Sequence, residues 1–362
     1  MTKPPADLLY RCLRRPNYAE RVRPEDWNWL IRVARHERLL GTLALRVAHV
    51  NMPAMARDLL EEARLDAERG QDRIRFEIHR MAEALADQDF PVVLLKGGAY
   101  LMADLPALPG REIGDLDILV PEGRIDDAEA ALKEAGWKSV KARGDYDDHY
   151  YREWMHELPP LAHKTRGNVI DLHHNILPRT ARLKPDIDGM IARAVPITAD
   201  LHILAPADMI IHAAIHCAYD GDFHGGARNL WDIDRLVRHF AAEHTAFWAQ
   251  LETQARAQGI MQPVRRALTL TNHFYETPIV GAFRKIKGLV DSAAIRKLTA
   301  HGPYGEPKGG LRSFFLYLRG HWLRMPPLML AKHLFTKWRA RRAEARLEAD
   351  RKKAPVQPPP SR

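Results

Sequence analysis

Residues 114–120, with the sequence GDLDILV, constrain the fold most, because two aspartates lie inside an otherwise apolar run. Side chains alternate between the two faces of a β-strand, so Asp115 and Asp117 would share one face while the intervening Leu116 enters a core. Two carboxylates on one face repel each other, and a divalent cation between them relieves that repulsion. The segment therefore predicts a strand with a metal-binding face, although an acidic edge strand facing water has the same pattern.

A glycine pair precedes this segment, at the end of another apolar run. Residues 92–95 (VVLL) are typical of a buried strand, and residues 99–105 indicate one or two helical turns. Lys96, Gly97 and Gly98 lie between them. Glycines at such a turn let the backbone approach a phosphate, and the N-terminus of a following helix adds amide donors. An ordinary tight turn uses the same residues, so the pair indicates phosphate binding only together with the acids.

A third carboxylate lies in a predicted β-hairpin at residues 161–174. Residues 165–168 (TRGN) supply the turn, and the returning strand carries Asp171 and His173 on one face. On a strand beside the first two acids, Asp171 would complete a metal site or accept a proton from an attacking hydroxyl. His173 would line the pocket or orient the Asp171 carboxylate.

The spacing of apolar residues divides the chain into four regions. Helical spacing dominates residues 1–88, a mixed unit of strands and helices follows at 89–198, and helical spacing returns at 199–300. Residues 301–362 combine a helical stretch with a basic tail. These patterns predict an α+β protein with a mixed-sheet core at 89–198, flanked by N- and C-terminal helical regions.

The charge of the chain is concentrated near its C-terminus. The net charge is +9, of which residues 337–362 contribute +6, with nine Lys or Arg against three Asp or Glu. A solvated terminal helix and a disordered end explain such a tail. Binding of the tail to nucleic acid or to an anionic membrane surface is the alternative.

Composition favours a cytoplasmic location. The chain has no run of eighteen or more uncharged apolar residues, and no apolar signal core follows residues 1–5. Cys12 and Cys217 are too few for a disulfide framework and are expected to be buried thiols.

Four segments together resemble a bacterial family of nucleotidyltransferases within the DNA polymerase beta-like superfamily. They are residues 95–98 (LKGG), 111–120 (REIGDLDILV), 170–174 (IDLHH) and 230–234 (LWDID). The resemblance extends over about residues 30–240. It implies a nucleotidyltransferase core that moves a nucleoside monophosphate from an NTP such as ATP to an unidentified hydroxyl acceptor.

The resemblance assigns roles position by position. Gly97 and Gly98 would contact the triphosphate. Asp115 and Asp117 would bind Mg²⁺ (or Mn²⁺), and Asp171 would complete this triad and activate the acceptor hydroxyl. Sixteen residues separate Gly98 from Asp115, which is more than is usual in the superfamily, and the second glycine is often a serine there.

Two cations flank the acids in sequence, Lys96 and Arg111. Either would hold the pyrophosphate leaving group, and Arg111 is the stronger candidate because it belongs to the segment that resembles the family. A surface charge near a loop explains both residues as well.

Two other functions fit parts of the sequence. A catalytically silent module of the same fold would bind a nucleotide or a partner without chemistry. A histidine-based metal hydrolase would use His212 and His216, which are four residues apart on a predicted helix, together with His173 or His174.

Overall fold

The computed structural model describes residues 4–140, 154–219, 225–284 and 287–353. Residues 354–362, the end of the predicted basic tail, lie outside the described part. Elements are numbered here in chain order, and short 3₁₀ turns at Pro16–Arg21, Pro24–Asp26, Glu122–Arg124 and Gly281–Phe283 connect some of them.

The N-terminal region is helical, as its apolar spacing predicts. Its helices are α1 Leu8–Arg14, α2 Trp27–His36, α3 Leu40–Arg46 and α4 Ala54–Leu85. The 32 residues of α4 make it about 48 Å long. This length lets one helix contact both α3 and the sheet.

A seven-stranded mixed sheet forms the centre of the described chain. Its strands are β1 Val92–Leu94, β2 Asp115–Leu119, β3 Trp137–Ser139, β4 Leu161–His163, β5 Val169–His173, β6 Val195–Pro196 and β7 Leu201–Ile203. Their spatial order is β3-β4-β5-β2-β1-β7-β6, and β2 with β5 and β1 with β7 are the parallel pairs. The prediction of a mixed sheet combined with helices is therefore confirmed. Strand β7 lies beyond residue 198, where the sequence suggested that the core ends.

Helices cover the sheet and continue beyond it. Those within the sheet region are α5 Lys96–Met102, α6 Ile125–Glu134 and α7 Ile187–Ala192. The later ones are α8 Pro206–Tyr219, α9 Gly226–Glu243, α10 Phe247–Ala257, α11 Met261–Tyr275, α12 Leu289–Leu298, α13 Leu311–Arg324 and α14 Pro327–Lys353.

One buried apolar cluster runs through the N-terminal helices, the sheet and the C-terminal helices. Leu13 of α1, Ile78 of α4, Ile118 of β2 and Leu268 of α11 all belong to it and are fully buried. The helical regions therefore share a core with the sheet and fix the walls of any cleft above it. Within the described ranges, none of the helices is both long enough and apolar enough to cross a membrane.

Candidate functional site

The register of β2 and β5 brings the predicted acids together. In this parallel pair Asp117 lies opposite Asp171, and Asp115 lies opposite Val169. Because side chains alternate along a strand, Asp115, Asp117 and Asp171 share one surface of the sheet. Burial and the neighbouring carboxylates of Asp117, Glu157 and Asp115 raise the pKa of Asp171 to about 7.

Asp117 is the most buried of the three acids. It is 4% exposed, and its Oδ1 lies 2.6 Å from Lys96 Nζ and 3.0 Å from His173 Nε2. Burial opposes its ionisation, but the Lys96 ammonium and the His173 imidazole hold the pKa of Asp117 well below its usual range. His173 thus orients Asp117, and not Asp171 as the sequence suggested.

Asp115 begins β2 at the open side of the acid cluster and is exposed. Partial desolvation and the Asp117 carboxylate raise the pKa of Asp115, while Lys96 and Arg38 act in the opposite direction. The free energy cost of keeping both acids ionised is therefore lowered by cations at the site.

The donor set suits a hard divalent cation. Three carboxylates supply oxygen atoms, which Mg²⁺ and Mn²⁺ prefer as ligands. Asp171 Oδ1 is buried and accepts no hydrogen bond from the residues that the structure describes. A buried oxygen without a partner is costly, and a cation beside it would remove that cost. Lys96 Nζ supplies the positive charge next to Asp117 in this structure.

The glycine pair lies inside a helix and not in the turn before it. Helix α5 begins at Lys96, whose φ is +44°. A Cβ added to Gly97 would lie 3.0 Å from Ile113 Cγ2, and one added to Gly98 would lie 2.9 Å from Leu116 Cδ1. Gly97 lines the cleft, whereas Gly98 is needed because α5 packs closely on β2. Both glycines are in the first turn of α5, where the backbone amides have no partner within the helix. Binding of phosphate by Gly97 and Gly98 therefore stays a prediction.

Arg111 is fixed in place by a partner from the C-terminal helices. Its Nη1 forms a close ion pair with Asp232 Oδ2 of α9, and its guanidinium lies 5.3 Å from the centre of the Tyr100 ring. Asp232 Oδ1 in turn accepts a hydrogen bond of 3.2 Å from Arg228 Nη1. Arg111 is thus a mostly buried, ion-paired residue that lines the cleft, and not an exposed charge near a loop. The LWDID segment contributes to the site through Asp232.

These residues lie on a cleft of about 1850 Å³. The acid side is formed by Lys96, Gly97, Arg111, Asp115, Asp117 and Asp171. The helical side carries the arginines Arg35, Arg38, Arg69 and Arg73 together with the acids Glu62, Asp66 and Asp72. Arg69 Nη1 lies 3.5 Å from Asp66 Oδ1. Carboxylates that can hold a cation therefore face guanidinium groups that can hold an anion.

Sequence reasoning missed Arg38, which lies between α2 and α3. Its φ of +55° is uncommon outside glycine, and its carbonyl accepts a hydrogen bond of 3.0 Å from Arg228 Nε. It lies close enough to Asp115 to lower the pKa of that carboxyl. No local pattern distinguishes it from the other arginines, since its position depends on α9.

The histidines are grouped differently from the prediction. His212 is buried in α8, and burial lowers the pKa of His216 to about 3, so both are neutral. Among the described residues, the group of three metal-ligand atoms within 4.8 Å of one another is His156, Glu157 and His173. His156 and Glu157 were not anticipated, because residues of an irregular segment give no periodic signal.

A strand-borne acid cluster that faces arginines across a cleft is an arrangement typical of proteins that handle nucleotide phosphates. A family profile described as uncharacterised nucleotidyltransferase matches residues 23–276, and the chain belongs to this family. The match begins before α2 and ends with α11, so it includes the sheet, the acids and the arginines of the helical side. Tyr317, His321 and Arg324, which also line the cleft, lie beyond it. No curated protein matches the chain significantly.

Proposed function

We propose that the protein is a Mg²⁺- or Mn²⁺-dependent nucleotidyltransferase with a polymerase beta-like core. It would transfer a nucleoside monophosphate from an NTP to a hydroxyl acceptor. The observation that carries this proposal is the parallel register of Asp117 and Asp171, with Asp115 beside them, on the floor of an arginine-lined cleft. Membership of the nucleotidyltransferase family supports the same reaction class.

The three acids and the residues that contact them have separate roles in the proposed reaction. Asp115, Asp117 and Asp171 would hold the metal, which when bound neutralises charge on the transferred phosphate and on the leaving group. His173 and Lys96 keep Asp117 ionised and oriented. The acceptor oxygen attacks the α-phosphorus, the bond to the β-phosphate oxygen breaks, and pyrophosphate leaves.

Asp171 is the proposed acceptor of the proton from the attacking hydroxyl. Without a metal its pKa is about 7. A divalent cation held by the three acids would lower this pKa, so Asp171 would be ionised and able to accept a proton at neutral pH. Its Oδ1 is buried without a protein partner among the described residues, so a hydrogen bond from the acceptor hydroxyl would satisfy it.

Phosphate binding is assigned to the cations of the cleft. Lys96 and Arg111 lie on the acid side, and Arg38 lies on the helical side next to Asp115. A guanidinium can bind two phosphate oxygens in a fork geometry. We assign Arg38 and Arg111 to the triphosphate, and Gly97 to the close approach of the backbone.

The test uses the purified full-length chain, cell extract, and each NTP labelled either at the α- or at the γ-phosphate, with Mg²⁺ or Mn²⁺. We expect label from the α-position on a macromolecule or small metabolite, and label from the γ-position in pyrophosphate. Transfer of the γ-label would indicate a kinase, and release of inorganic phosphate alone would indicate a hydrolase. Saturable NTP binding without any transfer would favour the silent-module alternative.

A further inference from the structure

A second group of ligand atoms lies beside the acid cluster, at the end of β5. Glu157 pairs with His173 in an antiparallel bridge. The backbone amides of Leu158 and His174 donate to Leu172 and His156, with N–O distances of 2.9 and 3.0 Å. The main chain therefore fixes the positions of His156 and Glu157 relative to β5.

The distances within this group suit a shared ion better than hydrogen bonds. Glu157 Oε2 lies 3.5 Å from His173 Nδ1 and 3.7 Å from His156 Nε2, which is too long for a good hydrogen bond. Ligands about 2.0–2.1 Å from a tetrahedral ion are about 3.3–3.4 Å from one another. Both Glu157 distances are close to this spacing. His156 Nε2 and His173 Nδ1 lie within 4.8 Å of each other, so a further approach of the two imidazoles would place all three atoms on one cation.

Hydrogen bonding also prepares His173 as a ligand. Its Nε2 lies 3.0 Å from Asp117 Oδ1, so Nε2 carries the proton and donates it to the carboxylate. Nδ1 then has a free lone pair. His173 is 3% exposed, and its buried Nδ1 has no hydrogen-bond partner in the described part of the chain. A carboxylate that orients a metal-binding imidazole in this way is a recurrent arrangement in metalloproteins.

We propose that His156 Nε2, Glu157 Oε2 and His173 Nδ1 bind one Zn²⁺ ion, with a fourth position open. Two imidazoles and one carboxylate favour Zn²⁺ over Mg²⁺, which prefers oxygen ligands. This site goes beyond the proposed transfer reaction and does not depend on it. By holding His173, the ion would also hold Asp117 in position.

The test measures metal binding directly on the full-length chain. The protein is stripped with EDTA and titrated with Zn²⁺ or Co²⁺ alone, in the absence of nucleotide. We expect one tightly bound equivalent of Zn²⁺, separate from weaker binding to the three carboxylates. We also expect a Co²⁺ spectrum with the intense visible bands of a four-coordinate site, and a higher midpoint of thermal unfolding with Zn²⁺. X-ray absorption of the Zn²⁺ form is expected to show two imidazole ligands at about 2.0–2.1 Å.

Variants locate the ion. His156→Gln and Glu157→Gln are expected to raise the Kd for Zn²⁺ by at least about 100-fold. The matched control His79→Gln, at an exposed position on α4, is expected to leave the Kd unchanged, as is Asp115→Asn. Circular dichroism checks that each variant folds. The Co²⁺ and X-ray absorption spectra are recorded on the unmodified protein, so they do not depend on the folding of a variant.

Three results would overturn the Zn²⁺ site. They are binding well below one equivalent, an absorption spectrum without imidazole ligands, and loss of binding in Asp115→Asn with His156→Gln unaffected. The last result would assign the ion to the acid cluster. Because no step of this test measures transfer, failure of the proposed reaction and failure of this site are distinguishable.

Discussion

The two sides of the cleft are built in different ways. The acid side comes from two adjacent strands, where alternation along each strand and one register place Asp115, Asp117 and Asp171 on a common surface. The arginine side comes from the turn after α2 and from α4, where Arg38 and Arg73 are brought in by helix packing. Strand alternation, which is a local property, thus sets the direction of each acid side chain. The positions of the arginines that face the acids depend on the whole fold.

One buried ion pair connects the two sides. Glu77 of α4 is 1% exposed and accepts hydrogen bonds from Arg166 Nε at 2.5 Å and Arg166 Nη2 at 2.9 Å. Asn168 Nδ2 donates to the same carboxylate at 3.0 Å. Since Arg166 and Asn168 lie in the hairpin turn that leads into β5, Glu77 fixes the strand of Asp171 to the helix that carries Arg73.

The largest expected effect is on the acid side. Asp117→Asn removes the charge that Lys96 and His173 orient and is expected to lower kcat for nucleotidyl transfer by about 10³-fold or more, since metal-assisted charge stabilisation contributes several kcal/mol. Asp87→Asn, at an exposed position in the turn after α4, serves as the matched control. Unchanged transfer by Asp117→Asn would rule out the metal mechanism.

The connection between the two sides is tested by Glu77→Ala. Removal of one member of a buried ion pair leaves the other uncompensated, which typically costs about 3–5 kcal/mol. Arg166 is partly exposed, so we expect a loss of about 3 kcal/mol in the free energy of unfolding, measured by urea titration. Glu83→Ala, whose carboxylate forms an exposed pair with Arg80, is expected to change it by less than about 0.5 kcal/mol. Equal effects of the two substitutions would contradict the role of Glu77.

The arginine side is expected to act on binding more than on chemistry. Arg38→Ala removes a charged hydrogen-bond donor to phosphate, which contributes about 1.5–3 kcal/mol, so KM for the NTP should rise by about 10- to 100-fold with a smaller change in kcat. Arg38→Lys should recover part of this loss, because it keeps the charge but not the fork geometry. The control is Arg57→Ala, at an exposed position of α4. A loss confined to kcat would place Arg38 with the acids instead.

The last expected effect is on pH dependence and concerns a histidine on the cleft wall. His321 of α13 is buried, with His333 stacked at 4.9 Å, and burial lowers its pKa to about 4 from the ordinary 6.5. The fold therefore favours neutral His321. Its contribution to stability is present above about pH 6.5 and is lost as the pH falls toward 4. Urea unfolding from pH 7 to pH 4 should show a shallower acid loss for His321→Gln than for the unmodified chain or for His79→Gln.

Much of the acid side could be predicted from the sequence. The apolar run at 92–95, the alternation at 114–120 and the hairpin turn at 165–168 correspond to strands β1, β2 and β4–β5. Each of these signals is local, because strand alternation and turn chemistry depend on residues that are neighbours in sequence. The one step that sequence could only suggest, the adjacency of β2 and β5, follows from the sheet order.

Other parts of the site were decided by the tertiary structure. The pairing of Arg111 with Asp232, the position of Arg38, and the approach of His156 and Glu157 to His173 each join residues from separate elements. Long-range contacts of this kind produce no periodic pattern in the sequence. Many arginines and histidines of the chain have similar local sequence surroundings, so the pattern does not single out the ones that meet the acids. The sequence by itself determined that Asp115 and Asp117 share one face of a strand and that Asp171 lies on another strand; the tertiary structure placed the two strands side by side. Only the packing of α2, α4 and α9 around the sheet decided which cations and imidazoles meet them, because that choice depends on the geometry of a core assembled from the whole chain.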